Sequence, residues 1–342
     1  MILENKQPKV SVVIVAYNAE KTVLRTLNAL AEQTYHDFEI IFVNNGATDS
    51  TGSIFEKFKA EHPKLNIKLV QVEINRGLQP GRMAGLAAVT GEYVLFNDAD
   101  DWMTPDCLEL LVAETEKPGV DKVMGAFKEI DEQGKILRTV NFVENQCRWL
   151  VVNLQAVLFR SDIIREHNLV FHPGYLDDID FNSFYNEFSQ KAAYVTKPVY
   201  YYYVNQNSTS GAKNKSRKWT GVTMVKDTID LLKPLHDRMP KEEDRLALEY
   251  LIIKQYYFYL LHNYRYSSWK EITDAFAEAQ AYLVKVFPNY LTTPSDAYIA
   301  DLGDRPSGKK LVKLLRKSER LHVRSFLLLL YILASKCTYL HS

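Results

Sequence analysis

Val10-Ser11-Val12-Val13-Ile14-Val15-Ala16 is short, β-branched and almost wholly apolar, and it ends abruptly in Tyr17-Asn18. A run of this kind suits a strand buried on both faces, because a strand with one wet face would alternate polar and apolar residues. Residues 21–33 follow with Val23, Leu27 and Leu30 at helical spacing. The theme repeats downstream: 38–44 reads as a second buried strand, 50–62 as a helix, 67–73 as an alternating strand, 80–89 as a helix and 93–97 as another short apolar strand. Strand and helix alternating at this spacing predict an α/β fold, with helices on both faces of its sheet. Such sheets bind ligands in the crevice beyond the carboxyl ends of their strands. Three strands end there in polar residues: Tyr17-Asn18, Asn44-Asn45-Gly46 and Asn97-Asp98-Ala99-Asp100-Asp101.

The alternation then breaks. Lys122–Ile130 and residues 135–141, joined through Asp131-Glu132-Gln133-Gly134, predict an antiparallel hairpin, so the sheet is mixed. Residues 193–203 form a further strand candidate, with four consecutive tyrosines from Tyr200. From about 216 the pattern changes to long leucine- and tyrosine-rich helices such as 246–262. The expected organisation is therefore an α/β domain over 1–215 and a helical C-terminal region over 216–342, divided in the polar stretch 205–217.

The 342 residues are enough for one large domain and a smaller one. Forty-two basic residues balance 42 acidic ones, so global charge predicts no polyanionic partner; basic residues cluster only in the tail, which argues against nucleic acid. The three cysteines, Cys107, Cys147 and Cys337, are too widely spaced for a disulfide framework or a zinc site. Residues 1–9 lack the apolar core of a signal peptide, and no apolar run approaches the roughly 18 residues of a membrane span. The expectation is a cytoplasmic protein.

Asp98-Ala99-Asp100-Asp101 follows an apolar strand directly. Aspartates spaced two apart in a turn can aim both carboxylates the same way, and hard oxygen ligands suit Mn²⁺ or Mg²⁺. The same residues could instead cap the helix expected after Trp102-Met103-Thr104-Pro105. Order narrows the choice. Ser11–Asn18, Phe38 to Thr51 with Asn44-Asn45-Gly46-Ala47-Thr48-Asp49, then Asn75-Arg76-Gly77, then Gly91-Glu92-Tyr93-Val94-Leu95-Phe96 and the aspartates occur in that sequence. This string, over roughly 9–210, resembles the family-2 glycosyltransferases, whose fold is the Rossmann-like GT-A type.

The resemblance implies a nucleotide-sugar donor, with a UDP-sugar favoured, along Ala16, Tyr17, Asn18, Asn44, Asn45, Arg82, Asn97, Asp98 and Ala99. Tyr17 stands where the family stacks a ring on the base, and Arg82 matches a basic residue that reaches the diphosphate. Asp98 matches the ribose or metal contact and Asp100 the metal ligand; Asp101 stays open between a supporting role and a helix cap. Two departures stand out. Asn44-Asn45 replaces the usual Asp-Asp, so an amide that both accepts and donates faces the base, and Arg82-Met83 replaces an Arg-Asn pair.

A second acidic motif, Tyr175-Leu176-Asp177-Asp178-Ile179-Asp180-Phe181, follows Leu169-Val170-Phe171-His172-Pro173-Gly174 as the family's Glu-Asp motif follows a similar segment. The resemblance makes Asp178 the catalytic base of an inverting displacement, with Asp177 beside it able to raise its pKa by repulsion. A helix cap ahead of 181–188 is the structural alternative. The segment holding Ser208, Ser210, Gly211, Lys213, Lys215, Arg217 and Lys218 is expected to order over the bound donor, or to be a plain solvated linker. The implied activity is hexosyl or N-acetylhexosaminyl transfer to a glycan or lipid-linked acceptor. A nucleotidyltransferase, which lacks its expected glycine-rich, lysine-containing phosphate loop here, and a non-catalytic carbohydrate-binding homologue are the alternatives.

In the tail, Lys309, Lys310, Lys313, Arg316, Lys317, Arg320 and Arg324 are relieved only by Glu319, with Leu311, Val312, Leu314, Leu315, Leu321 and Val323 between them. Residues 326–334 then run apolar. This is the pattern of an interfacial anchor, predicting peripheral contact with the inner face of the cell membrane through 309–342. Packing on the catalytic domain, or on a second copy in a homo-oligomer, is the competing reading.

Overall fold

The computed structural model describes residues 7–142, 147–150, 152–172, 177–204, 221–264, 267–293, 306–325 and 327–329. Strands β1 (Val10–Ala16), β2 (Phe38–Asn45), β3 (Ile67–Val72) and β4 (Tyr93–Asp98) run parallel, connected through α1 (Val23–Ala31), α2 (Thr51–Glu61) and α3 (Leu78–Ala87). Then come β5 (Trp102–Met103), α4 (Cys107–Thr115), β6 (Lys122–Ile130), β7 (Ile136–Val140), β8 (Val157–Arg160), α5 (Ser161–Glu166), α6 (Asp177–Phe188) and β9 (Ala192–Tyr203). The described strands form one mixed sheet in the order β3-β2-β1-β4-β8-β6-β9-β5, with β7 antiparallel on β6. The order reverses beside β1, whose strand end lies between those of β2 and β4. That places Ala16, Asn44 and Asp98 on one edge.

The buried strands behave as their composition demands. Val10, Val12, Ile14, Ile40, Phe42, Val94 and Leu95 are fully enclosed. Helix α3 comes unusually close to the sheet because it presents glycines: a Cβ on Gly85 would stand 2.4 Å from Val13 Cγ1, and one on Gly81 2.6 Å from Val15 Cγ1. This approach lays Arg82, between the two glycines in sequence, against the carboxyl edge of the sheet. A ring cluster seats α6: Phe181 stacks on Phe171 at 4.3 Å and meets Phe96 of β4 edge-on at 5.5 Å.

Helix α6 begins at Asp177, earlier than the 181–188 expected, so the two aspartates form its first turn. Carboxylates are favoured there by the unpaired N–H groups of a helix start. The side chain of Asp177, residues 173–176 and the basic loop 205–218 lie outside the described residues.

The chain divides into two compact units, Met1–Asn145 with Val152–Ser208, and Gln146–Val151 with Thr209–Ser342. The second unit is helical: α7 (Gly221–Arg238), α8 (Glu242–Asn263), α9 (Trp269–Val286) and α10 (Pro306–Arg320). The short segment around Trp149 belongs to it, since the indole Nε1 donates to Asp244 Oδ1 at 2.6 Å. Nothing in the local sequence announces that excursion. No helix among the described residues is long and apolar enough to cross a membrane. Most of the apolar run 326–334 lies outside them.

Candidate active site

The two acidic motifs converge on Arg82. Its guanidinium is buried, with Nη2 2.9 Å from Asp98 Oδ1 and Nη1 3.3 Å from Asp178 Oδ1. Asp98 ends β4 and Asp178 sits in the first turn of α6, so the sheet, α3 and α6 each contribute one member of this triad. The Asp178 side chain is 34% exposed, open to an incoming molecule on one side. Asn182 Nδ2 donates to the Asp178 backbone carbonyl at 2.9 Å, and the buried Lys122 ammonium donates to Asn182 Oδ1 at 2.7 Å. Asp180 faces the other way, accepting from the His172 backbone N–H at 2.7 Å and bonding its ring Nδ1 at 2.8 Å.

The aspartate turn is held from behind. Asn97 is buried and donates through Nδ2 to the Asp98 carbonyl at 2.8 Å. Thr26 Oγ1 lies 3.0 Å from the Ala99 carbonyl and 2.7 Å from that of Asp101. Asp101 is fully buried, and its two oxygens accept from Tyr200 Oη and the Tyr203 N–H, each at 2.8 Å. It therefore ties β9 to the turn; the helix that follows starts only at Cys107, so Asp101 caps nothing. Burial, then the charges of Asp100 and Asp98, push Asp101 well above the usual carboxylate range. Burial, then the neighbouring Asp98, push the Asp100 carboxyl up to about 6.

Oxygen-only carboxylates of this kind fit Mn²⁺ or Mg²⁺. Among the described residues no cluster of three or more His, Cys, Asp or Glu side chains is poised to chelate an ion. A cation at Asp98 and Asp100 would take its remaining ligands from a bound diphosphate and water.

Along the other strand ends, Tyr17 is 49% exposed just past β1, while Ala16 is buried. Asn18, in the left-handed region at φ 48°, accepts the Thr48 N–H at 2.9 Å and so joins the two loops. Asn44 donates through Nδ2 to Gln71 Oε1 at 3.1 Å and accepts the Ala47 N–H at 3.3 Å. Asn45 points inward: it is buried, and its Nδ2 donates to the Gly77 carbonyl at 3.0 Å. The loop it holds crosses Gly46 so closely that a Cβ there would lie 2.5 Å from the Asn75 nitrogen.

Two participants escaped the sequence reading. Arg25 of α1 donates to the Asp100 carbonyl at 2.8 Å, with its guanidinium 3.7 Å from the Trp102 ring centroid and 4.9 Å from that of Tyr203. It reads in sequence as an ordinary solvated helix arginine. Tyr202 is placed so that, after burial, the charges of Asp101, Asp98, Asp178 and Asp100 raise its pKa. The run of four tyrosines was the available signal for it.

With this geometry in hand, the comparisons are consistent. The sequence profile of glycosyl transferase family 2 matches residues 11–154. An uncharacterized glycosyltransferase of Haemophilus influenzae is 28% identical over 240 residues, covering 65% of this chain and 73% of that protein. The poly(ribitol-phosphate) β-N-acetylglucosaminyltransferase TarS of Staphylococcus aureus is 35% identical over 174 residues, 48% of this chain but only 29% of TarS. The crystal structure of TarS 1-349 in complex with UDP-GlcNAc superposes with a TM-score of 0.61 at 19% identity, covering 93% of this chain and 89% of that one. The mannosyltransferase PcManGT of Pyrobaculum calidifontis, solved with GDP-Man and Mn²⁺, gives 0.52 at 18% identity over 98% of this chain and 88% of that one. Mixed sheet, ordered motifs and relatives agree: residues 11–154 match glycosyl transferase family 2, and the chain has a GT-A type of fold.

Proposed function

We propose that the protein transfers a sugar, a hexose or N-acetylhexosamine, from a UDP-sugar to a hydroxyl of a glycan or lipid-linked oligosaccharide, with inversion. The observation that carries this reading is the Arg82 bridge, which puts the candidate donor residue Asp98 and the candidate base Asp178 at one site. A single displacement requires a base at the acceptor hydroxyl and charge stabilisation for the leaving diphosphate, and these residues could supply both. TarS, solved with UDP-GlcNAc, and PcManGT, solved with GDP-Man and Mn²⁺, support the donor class and the metal.

Tyr17 stacks on the base and Asn44 meets its edge. The Asn44 carbonyl oxygen keeps a second lone pair beyond its bond to Ala47, enough to accept the uracil N–H. Asn45, Asn97 and Ala99 act through the backbone they shape, and Asn18 through the loop it ties. When bound at Asp98 and Asp100, Mn²⁺ or Mg²⁺ neutralises charge on the departing diphosphate. Asp178 takes the proton of the acceptor hydroxyl as its oxygen bonds to the anomeric carbon and the bond from that carbon to the diphosphate oxygen breaks. Arg82 holds the Asp178 carboxyl in place by its ion pair and offers positive charge beside the donor.

Incubating the protein with a panel of nucleotide sugars and Mn²⁺, and following release of the nucleoside diphosphate, tests this directly. Release from a UDP-sugar supports the reading. Binding without any turnover, with or without acceptor glycans, would instead indicate a carbohydrate-binding homologue.

A further inference from the structure

Helix α10 has two faces of opposite purpose. Val312, Leu315, Arg316, Ser318 and Glu319 are buried in the helical unit. Glu319 accepts hydrogen bonds there from Tyr256 at 3.0 Å, Tyr257 at 2.9 Å and Tyr290 at 2.7 Å, and pairs with Arg324 at 2.8 Å. Arg316 also turns inward, donating to the Thr293 carbonyl at 2.7 Å. The polar network fixes the rotation of the helix about its axis. It also removes the lone acidic residue of this segment from the surface.

What remains outside is cationic and apolar together. Lys310, Lys313, Lys317 and Arg320 are exposed. Between and beyond them Leu311 is 39% exposed, Leu314 49%, Leu321 59% and Val323 48%. At 3.6 residues per turn, Lys310, Lys313, Leu314, Lys317 and Leu321 fall on one stripe. Lys313, Lys317, Arg320 and Leu321 line a shallow depression, three cations around an apolar rim. Arg320 also donates through Nε to the Leu291 carbonyl, which holds its charge at that rim.

We infer that this face is a docking surface for a bilayer containing anionic phospholipid. Phosphate headgroups match the lysines and arginine, while exposed leucines are suited to the headgroup–acyl boundary. A second copy pairing through the same face would set lysines against lysines. A nucleic acid would find leucines where it needs polar contact. The inference stands on the helical unit alone and is independent of the donor reading.

The test is flotation of the full-length protein with vesicles of phosphatidylglycerol and phosphatidylcholine, against vesicles of phosphatidylcholine alone. Binding to the anionic vesicles, weakened by salt, is expected. Lys313→Gln with Lys317→Gln should weaken it about tenfold or more, since each cation adds substantially at an anionic surface. Leu314→Gln with Leu321→Gln should weaken it at unchanged charge, and these residues are exposed, so thermal midpoints should not move. Wild-type binding retained in both double variants would overturn the proposal and assign attachment elsewhere in the chain. Absence of vesicle binding alongside a concentration-dependent dimer would overturn it in favour of a second copy.

Discussion

Arg82 and Asp178, 96 positions apart in sequence, form an ion pair of 3.3 Å that joins α3 to the first turn of α6. Because the same guanidinium binds Asp98 at 2.9 Å, one side chain links the carboxylates of the two acidic motifs. Arg82→Ala should leave both carboxylates misplaced and lower transfer about 100-fold, the scale of a small positional error at a reacting centre. Arg82→Lys should recover only part, since an ammonium cannot span both partners as a planar fork does. Steady-state kinetics with a matched thermal-melt control checks this, the melt separating misplacement from unfolding.

Asp100 supplies a pH prediction. Its carboxyl is pushed up to about 6 by burial and Asp98, above the ordinary value of 3.8. The folded protein therefore holds a proton there that the unfolded chain has released, and stability falls as pH rises from about 4 through about 6. Asp100→Asn should raise the metal-free melting temperature at neutral pH, with the gain vanishing in acid. Metal uptake requires the ionised form, so Mn²⁺ affinity of the wild type should drop below about pH 6. Calorimetric titration at several pH values reads both the affinity and the proton released.

Asp101 is expected to matter for folding before chemistry. Tyr200→Phe removes one donor to a buried carboxylate and should cost about 1.5–3 kcal/mol. Urea unfolding measures it. Unchanged stability would mean that the tie between β9 and the aspartate turn carries no weight.

Gly85→Ala should be felt at the active site although Gly85 touches no ligand. The added methyl would meet Val13 at 2.4 Å, so α3 must move outward, at about 1–3 kcal/mol for overpacking. Arg82 moves with it, and transfer should fall more than global stability explains. Parallel measurement of turnover and unfolding separates the two effects.

The parallel half of the sheet was legible because burial on both faces forces uninterrupted apolar runs such as Val10–Ala16. The turn after β4 that carries Asp98 and Asp100 was legible because a short apolar strand ending in polar residues is a local pattern. The Arg82–Asp178 pair was not, since it joins an α3 position to an α6 position and no local spacing encodes that meeting. The burial of Asn45 was hidden for a related reason: Gly81 and the Gly77 loop, distant in sequence, close over it. The face presented by α10 depended on a buried Glu319 whose three tyrosine partners come from α8 and from Tyr290. In sequence that glutamate reads as one more surface charge.

In the proposed mechanism Asp178 is the base of a glycosyl transfer, and other residues of the site hold the donor. Asp178→Asn keeps the side chain's size and a hydrogen-bonding oxygen toward Arg82 while removing its basicity. Transfer and Mn²⁺-dependent UDP-sugar binding should be measured on the same preparation. The account predicts turnover reduced by about 10²–10⁴-fold with donor affinity nearly unchanged. Turnover close to wild type, or loss of donor binding in step with activity, would contradict it.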